Sequence, residues 1–467
     1  MIVHFETLGC KLNQIESESA SRSFSDAGFD CSMAPLTAGT VLNEQQIQDT
    51  LLCIINTCTV TSKAEQKARR IIRLLLERFP NSCVLVTGCY AELDQELIQQ
   101  ISPRIVVLKG THKDELSELP LFLLDLCKNT ATITPEELVA KIRVKCIQAN
   151  EKLPQPFKLS TDTFLQHSRS SIKIQDGCNN RCSYCRICLA RGKSISLEAE
   201  EVLHRIQQLE EQHHKEVVIT GVNLSQYKAP DTHMDIAQLL QYILDNTKSI
   251  AIRISSLYPE RVDSALCKVI ENKRIRPHFH LSVQSGSDTI LKAMNRPYEA
   301  QQIIDAVDRL RQVKENPFIA CDIITGFPGE TPEDFQHTLT MCKRCNFTWI
   351  HAFPFSPRPG TKAYTMKPQI PQSLSGERVK ALTELALHNK KEYIQQFIGK
   401  EVTAIIEKRH TIALKAVTEN FLHVQLKGKT NSSLGGTEVV VRILEAQDLQ
   451  HLSEDKEGVA EIVSFLG

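Results

Sequence analysis

The sequence predicts an α/β protein of three units: an N-terminal doubly wound α/β domain, a central partial (β/α)6 barrel and a small C-terminal β barrel. Three observations predict it. Short apolar runs alternate with helical periodicity from Ile2 to Leu108, and three of them end beside a Cys. From Ser171 onward, six strand-like runs alternate with helical patterns. After Phe397 the pattern changes to short alternating segments separated by Gly, Asn and Ser. The expected domains are therefore 1–150, 165–397 and 398–467, which suits 467 residues at roughly 150 per domain.

In the first unit, Ile2–Thr7 alternates apolar and polar residues as a half-buried strand does, and runs into Gly9 and Cys10. Gln14–Ala27 reads as a helix, and 32–50 as an irregular or inserted segment. Leu51–Asn56 (LLCIIN) suits a strand covered on both faces and leads to Cys58. A Lys- and Arg-rich helix over Ser62–Phe79 precedes Cys83–Thr87 (CVLVT), which leads to Gly88 and Cys89. Ile105–Leu108 is a candidate last strand, Glu115–Lys128 and Pro135–Cys146 read as helices, and the polar run to Phe164 reads as a linker. The carboxyl ends of parallel strands share one edge of the sheet, where such folds place their sites. Cys10, Cys58 and Cys89 occupy three equivalent ends, so they can meet around one metal centre. Three unrelated core cysteines is the alternative, and the repeated placement argues against it.

The six runs of the second unit are Ile172–Ile174, Val217–Thr220, Ala251–Ile254, His278–Val283, Phe318–Thr325 and Trp349–Phe355. Helical patterns such as Leu197–His213, Ile236–Asn246 and Ala300–Val313 separate them. Sites in such barrels cluster at the carboxyl ends of strands. Gly221 and Asn223, Ser255 and Ser256, Gln284 and Ser285, Gly326 and Gly329, and Pro357 and Gly360 all follow their strands closely. TGFPGET lacks both the Lys of a phosphate-binding loop and the G-x-G-x-x-G spacing.

After the first of these strands comes Asp176–Gly192, DGCNNRCSYCRICLARG, with Cys178, Cys182 and Cys185 in the spacing C-x3-C-x2-C. On a helix or strand three such side chains point to different faces; on a Gly- and Asn-rich loop they can converge. A soft metal centre is the chemical reason to converge them. Zinc and a four-iron cluster each take four ligands, so a compact trio suggests a cluster with one iron left open. A zinc knuckle and reduced surface thiols are the other readings of this loop alone, and Cys188 is in principle able to complete a set of four.

Helical periodicity continues from Lys367 to Phe397, after which VTAIIEKR, ALKAVTE, FLHVQL and EVVVRIL suggest a small antiparallel barrel. The composition is that of an ordinary soluble globular protein, 42% hydrophobic and 24% charged. With 55 basic and 55 acidic residues the net charge is zero, which argues against a nonspecific polyanion binder but leaves room for a local basic face. Lys63, Lys67 and Arg70, with Arg69 and Arg73, form such a face after Cys58, while Ile71, Leu74 and Leu75 can face the core. It is either an RNA contact or a solvated surface. No signal peptide and no apolar run of roughly 18 residues is read, so no membrane association and a cytoplasmic location are expected. There, the 16 Cys are expected as thiols or metal ligands, with Cys342 and Cys345 as core residues of a helix.

The Asp176–Gly192 loop, with Tyr184 just before its third Cys, resembles the cluster-binding loop of radical S-adenosylmethionine (SAM) enzymes. TLGCKLNQIESE, INTCTVTSKAEQKARR and VTGCYAE resemble the three Cys motifs of the tRNA methylthiotransferases, radical-SAM enzymes with a second four-iron cluster in the N-terminal domain. The resemblance continues through VVITGVNLSQY, IRISSLYP, HLSVQSGSDTILKAMNRPY, DIITGFPGETPEDF and FPFSPRPGTKA, over nearly the whole chain. TLGCKLNQ with NTCTVT is most similar to the branch acting on N6-threonylcarbamoyladenosine.

The resemblance implies a radical-SAM barrel at the centre and, by position, an RNA-binding TRAM-like barrel at the end. It implies two [4Fe-4S] clusters, one on Cys178, Cys182 and Cys185 and one on Cys10, Cys58 and Cys89. SAM would bind the first, with contacts from Tyr184, Gly221, Ser255, Gln284 and Gly326. Its reductive cleavage would give a 5′-deoxyadenosyl radical that removes hydrogen from an unactivated C–H bond, work the cofactor carries. The second cluster would donate sulfur, making Cys58 catalytic with Cys178, Cys182 and Cys185, and a second SAM would supply the methyl group. The expected reaction converts N6-threonylcarbamoyladenosine beside the tRNA anticodon to its 2-methylthio derivative. The expected partners are the tRNA anticodon arm, an electron donor such as flavodoxin or ferredoxin, and a sulfur source. The rival readings are another methylthiotransferase branch (isopentenyladenosine or ribosomal protein), an iron–sulfur oxidoreductase that does not use SAM, and a zinc-stabilised RNA-binding protein. Cys188 stands where the family carries Pro, and is read as a non-ligand because a fourth thiolate would close the iron that SAM needs.

Overall fold

The computed structural model describes residues 1–129, 133–160, 169–407, 414–427, 434–447 and 457–466. Five parallel strands form the first sheet: β1 (Ile2–Thr7), β2 (Asp30–Ser32), β3 (Thr50–Thr57), β4 (Cys83–Gly88) and β5 (Ile105–Val107), in the order β2-β1-β3-β4-β5. Alternate residues serve opposite layers, as strand periodicity requires. Val3, Phe5, Leu52, Ile54 and Leu85 pack under the helix Lys11–Asp26 and its neighbours on one face. Cys53, Ile55, Val84 and Val86 pack under the helix Ser62–Arg78 on the other. The sheet is therefore doubly wound, and its strand order reverses between β1 and β3, the position at which such folds open a crevice.

Two segments of this domain differ from expectation. The stretch read as irregular begins in β2, which pairs parallel with β1, and contains a short helix, Glu44–Asp49, held by a capping box from Asn43. Three polar-flanked edge residues carry too little periodicity to announce a strand. The helix read over Glu115–Lys128 is a kinked 3₁₀ segment, Gly110–Ser117, followed by a helix over Leu119–Asn129.

The central unit holds β6 (Ser170–Asp176), the two-residue antiparallel edge strand β7 (Ile195–Ser196), β8 (Glu216–Gly221), β9 (Ala251–Ile254), β10 (His278–Gln284), β11 (Phe318–Thr325) and β12 (Trp349–Pro354). β6, β8 and β9 pair in parallel, as do β10, β11 and β12. The parallel bridge Leu257↔Leu281 joins the two sets into one six-stranded arc. Ile172, Ile219, Ile252, Leu281 and Ile319 point outward into the helical layer. The alternate positions point into the lumen, which is why polar residues such as Lys173, Arg253 and His280 interrupt these runs.

The helix Gln372–Gln395 leads to a closed barrel of β13 (Glu401–Ile406), β14 (Lys415–Thr418), β15 (His423–Leu426), β16 (Glu438–Ala446) and β17 (Gly458–Phe465). The expectation of a wholly antiparallel barrel is corrected: β15 and β17 pair in parallel. A closed ring of five strands cannot alternate direction all the way round, so one parallel pairing is unavoidable.

Candidate functional site

Cys10, Cys58 and Cys89 follow β1, β3 and β4 at the carboxyl edge of the first sheet, two of them flanking its switch point. Cys10 is exposed, Cys58 and Cys89 are buried. Gly9 lets the first two approach: at φ +100° it sits so close that a Cβ would lie 2.6 Å from the Cys58 Cβ and 2.9 Å from its Sγ. Burial, helped by the neighbouring Cys10 and Cys89, pushes the Cys58 thiol up to about 11. The three are thus within electrostatic reach of one another.

Cys178, Cys182 and Cys185 follow β6, at the carboxyl end of the barrel arc. Tyr184 anchors their loop, its ring edge-on to Phe327 at 6.5 Å within a cluster that includes Met294 and Phe355. Burial pushes Cys185 up to about 12, with Cys182, Cys178 and Cys188 adding to it. Three donors address the loop's sulfurs. The Arg296 Nη1 donates to Cys182 Sγ at 3.3 Å, the Ile187 N–H to Cys185 Sγ at 3.4 Å, and the Asn223 Nδ2 to Cys178 Sγ at 3.8 Å. Arg296 is itself fixed by Tyr258, Tyr298 and the Ser282 carbonyl.

Buried ion pairs hold the two edges against each other. Arg191 donates to Asp176 at 3.0 Å, to Glu16 at 3.1 Å and to Asn13 at 2.8 Å, so the cysteine loop is tied to the helix that starts after Cys10. Burial pulls the Glu16 carboxyl up, but Arg191, Lys113 and Lys173 outweigh it and hold it well below the usual range. On the other side Arg186, next to Cys185, donates to Glu65 and to Asp94, both at 3.2 Å. Arg358 reaches Thr59 at 3.0 Å and also pairs with Glu65, so the residues following Cys58 and Cys185 share one carboxylate.

The remaining sequence candidates divide. Gly221, Ser255, Gln284 and Gly326 stand at or just past the carboxyl ends of β8, β9, β10 and β11, on the same rim. Gly326, at φ +69°, also packs against the Gln372–Gln395 helix, where a Cβ would fall 1.8 Å from Ser375 Oγ. Cys342 and Cys345 are buried in the helix Pro332–Cys345. Arg296, Glu65 and Arg191 were not singled out from the sequence. Arg296 lies in the LKAMNRPY motif, and Glu65 is one of two acids in a basic helix, but neither pattern names its partner.

Among the described residues no three Cys, His, Asp or Glu side chains are gathered into the tight shell that one metal ion takes. Each trio offers three soft donors without a fourth protein ligand of its own, with Cys188 near the second, and that chemistry fits a four-iron cluster with an open position.

The fold and its loop define a radical-SAM protein: the radical SAM superfamily model matches residues 172–342, and the model of the uncharacterized protein family UPF0004 matches 2–110. A radical S-adenosylmethionine methyltransferase of Kitasatospora setae, solved with cobalamin and a [4Fe-4S] cluster, shares the fold at TM-score 0.53 and 14% identity, covering 78% of this chain and 74% of that one. The threonylcarbamoyladenosine tRNA methylthiotransferase of Treponema pallidum (strain Nichols) is 42% identical, covering 94% of this chain and 98% of its own. That of Aquifex aeolicus is 32% identical over 92% and 97%. The chain belongs to the threonylcarbamoyladenosine tRNA methylthiotransferase family.

Proposed function

We propose that this chain converts N6-threonylcarbamoyladenosine in tRNA to its 2-methylthio derivative, with Cys178, Cys182 and Cys185 holding one [4Fe-4S] cluster and Cys10, Cys58 and Cys89 the other. The observation that carries the reading is the apposition of two cysteine trios, one from each domain, across an edge locked by Arg191 and by the Glu65 pairs. Clusters with an open iron, held by these residues, would supply the electron for SAM cleavage and a site for the transferred sulfur. The protein's own part is positional. Arg296 and Asn223 orient two of the sulfurs, Tyr184 anchors the loop, and Gly221, Ser255, Gln284 and Gly326 furnish the rim on which SAM would lie. Cys188 remains outside the ligand set, so that SAM has an open iron.

The anticodon arm approaches this rim in the cytoplasm, where an electron donor of the flavodoxin or ferredoxin kind and a sulfur source are at hand. No helix among the described residues is long and apolar enough to cross a membrane. The deciding experiment is mass spectrometry of tRNA nucleosides from cells lacking the protein. The 2-methylthio-N6-threonylcarbamoyladenosine peak should vanish and return with the gene; its persistence at the normal level sinks the reading.

A further inference from the structure

Below the rim the barrel is hollow. A cavity of ≈ 900 Å³ extends from Ser255, just past β9, to Phe318 and Trp349, the first residues of β11 and β12. Phe421 of the C-terminal barrel lines its lower end, and Lys11, from the N-terminal domain, lines it as well. Packed barrels fill this space with layers of branched apolar side chains. Here the inward positions of β10 and β12 carry His280 and His351, stacked at 5.3 Å and 2°, and β11 places Asp322 Oδ1 3.1 Å from His280 Nε2.

Polar capacity in this wall is left unused. Arg253 grips Glu216 through Nε at 2.7 Å and Nη2 at 3.0 Å, yet its Nη1 has no hydrogen-bond partner among the described residues, in a side chain 2% exposed. Ser255 Oγ and His278 Nδ1 are likewise buried without partners among the described residues. Lys11 and Arg169 line the same cavity. Glu216 lies 3.9 Å from the Arg169 guanidinium and Glu457 pairs with Lys390 in the same lining, so a ligand's acid would add to these pairs and take up the donors they leave over. Lys11 follows Cys10 directly in the chain, which ties this wall to the loop that carries the first cysteine of the N-terminal trio. A chamber of this volume suits a ligand of nucleoside size, and its cationic, donor-rich lining suits a polar acid rather than an alkyl chain.

We propose that this cavity is the subsite for the N6 substituent of the target nucleoside, an amino-acid urea, and that Lys11, with Arg169 beside it, binds the substituent's carboxylate. The inference rests on the function proposed above and adds to it the residue that reads the threonyl group. A base presenting C2 to the rim can then direct its N6 arm into the lumen, where the carboxylate pairs with Lys11 and Arg169 near the unused Arg253 Nη1 and Ser255 Oγ donors.

The test is a binding cycle on the full-length holoenzyme with three anticodon stem-loop RNAs. One carries N6-threonylcarbamoyladenosine, one the same group with its carboxylate converted to carboxamide, and one plain adenosine. Wild type should bind the carboxylate RNA about tenfold more tightly than the carboxamide RNA. Lys11→Gln should erase that gap, and Lys11→Arg should keep most of it. Equal affinity of wild type for both RNAs overturns the subsite, and needs no variant to load its clusters. So does a Lys11→Gln protein that keeps the gap. Methylthiolation of the first RNA by wild type is followed in parallel. Turnover without discrimination overturns the subsite and leaves the function standing. No turnover on that RNA, with turnover on another nucleoside, overturns both.

Discussion

A thiol ligates metal as thiolate, and burial opposes that form at Cys58 and Cys185, whose values stand near 11 and 12. Only a bound centre compensates for it, so the two trios should load independently and fail separately. Cys185→Ala should abolish SAM cleavage, and Cys58→Ala should spare cleavage while abolishing methylthio transfer. Each should lower iron from about eight to about four per chain. Both activities intact in Cys58→Ala would remove the second cluster from the mechanism. Arg296 offers a finer probe. Its N–H bond to Cys182 Sγ stabilises added negative charge on a cluster held there. Arg296→Met should therefore lower the midpoint potential of that cluster in anaerobic titration, with the other cluster unmoved; an unchanged potential would restrict Arg296 to packing with Tyr258 and Tyr298.

At the scale of elements, the helix Ser62–Arg78 shows what periodicity reveals and what it misses. Ala68, Ile71, Ile72 and Leu75 are buried against the sheet, leaving Lys63, Lys67, Arg70 and Arg73 exposed. Arg69 leaves the exposed face to donate to the Tyr90 hydroxyl at 2.9 Å, a tertiary contact that spacing cannot announce. The helix begins four residues after Cys58, where an anticodon arm meeting the cluster edge must pass. Reversing two charges there, Lys67→Glu with Arg70→Glu, should weaken tRNA binding and flatten its dependence on log salt by about two, since each phosphate contact releases about one counterion. Folding stability should move by less than about 0.5 kcal/mol, as at ordinary surface sites. Unchanged affinity and slope would return this face to solvent and leave the C-terminal barrel as the main RNA contact.

For the molecule as a whole, buried ion pairs join the units. Glu216 at the foot of β8 binds Arg253 and Arg276, and Arg276 reaches Glu438 of the C-terminal barrel at 2.8 Å. Burial raises the Glu216 carboxyl, but Arg253 and Arg276 outweigh it and bring it down to about 2. A folded value below the unfolded one gives stability that is fully present above pH 4.5 and is lost as pH falls toward 2. The amount is on the order of 3 kcal/mol, and Glu16 and Asp176 act in the same direction. Urea midpoints should drop as pH falls from 5 to 3, and Glu216→Gln should flatten that drop while costing about 3–5 kcal/mol at pH 7, because it strands the buried Arg253 guanidinium. An equal drop in the variant would place the acid sensitivity elsewhere.

The sequence by itself determined the fold class and marked out both cysteine trios as candidates. Strand and helix periods are local properties, and the carboxyl end of a parallel strand is a defined place even before the strands are assembled. Local pattern also placed β9, β11 and the helices Ile236–Asn246 and Ala300–Val313 at their observed bounds. It missed β2 and β17 and the parallel closure of the last barrel, because edge pairing and ring closure depend on neighbours distant in sequence. Only the tertiary structure decided that Glu65 joins the loops after Cys58 and Cys185, that Arg296 addresses a sulfur, and that Lys11 faces a hollow barrel. A charge's partner lies across the fold, and desolvation, which gives that pairing its strength, exists only once the chain has closed around it.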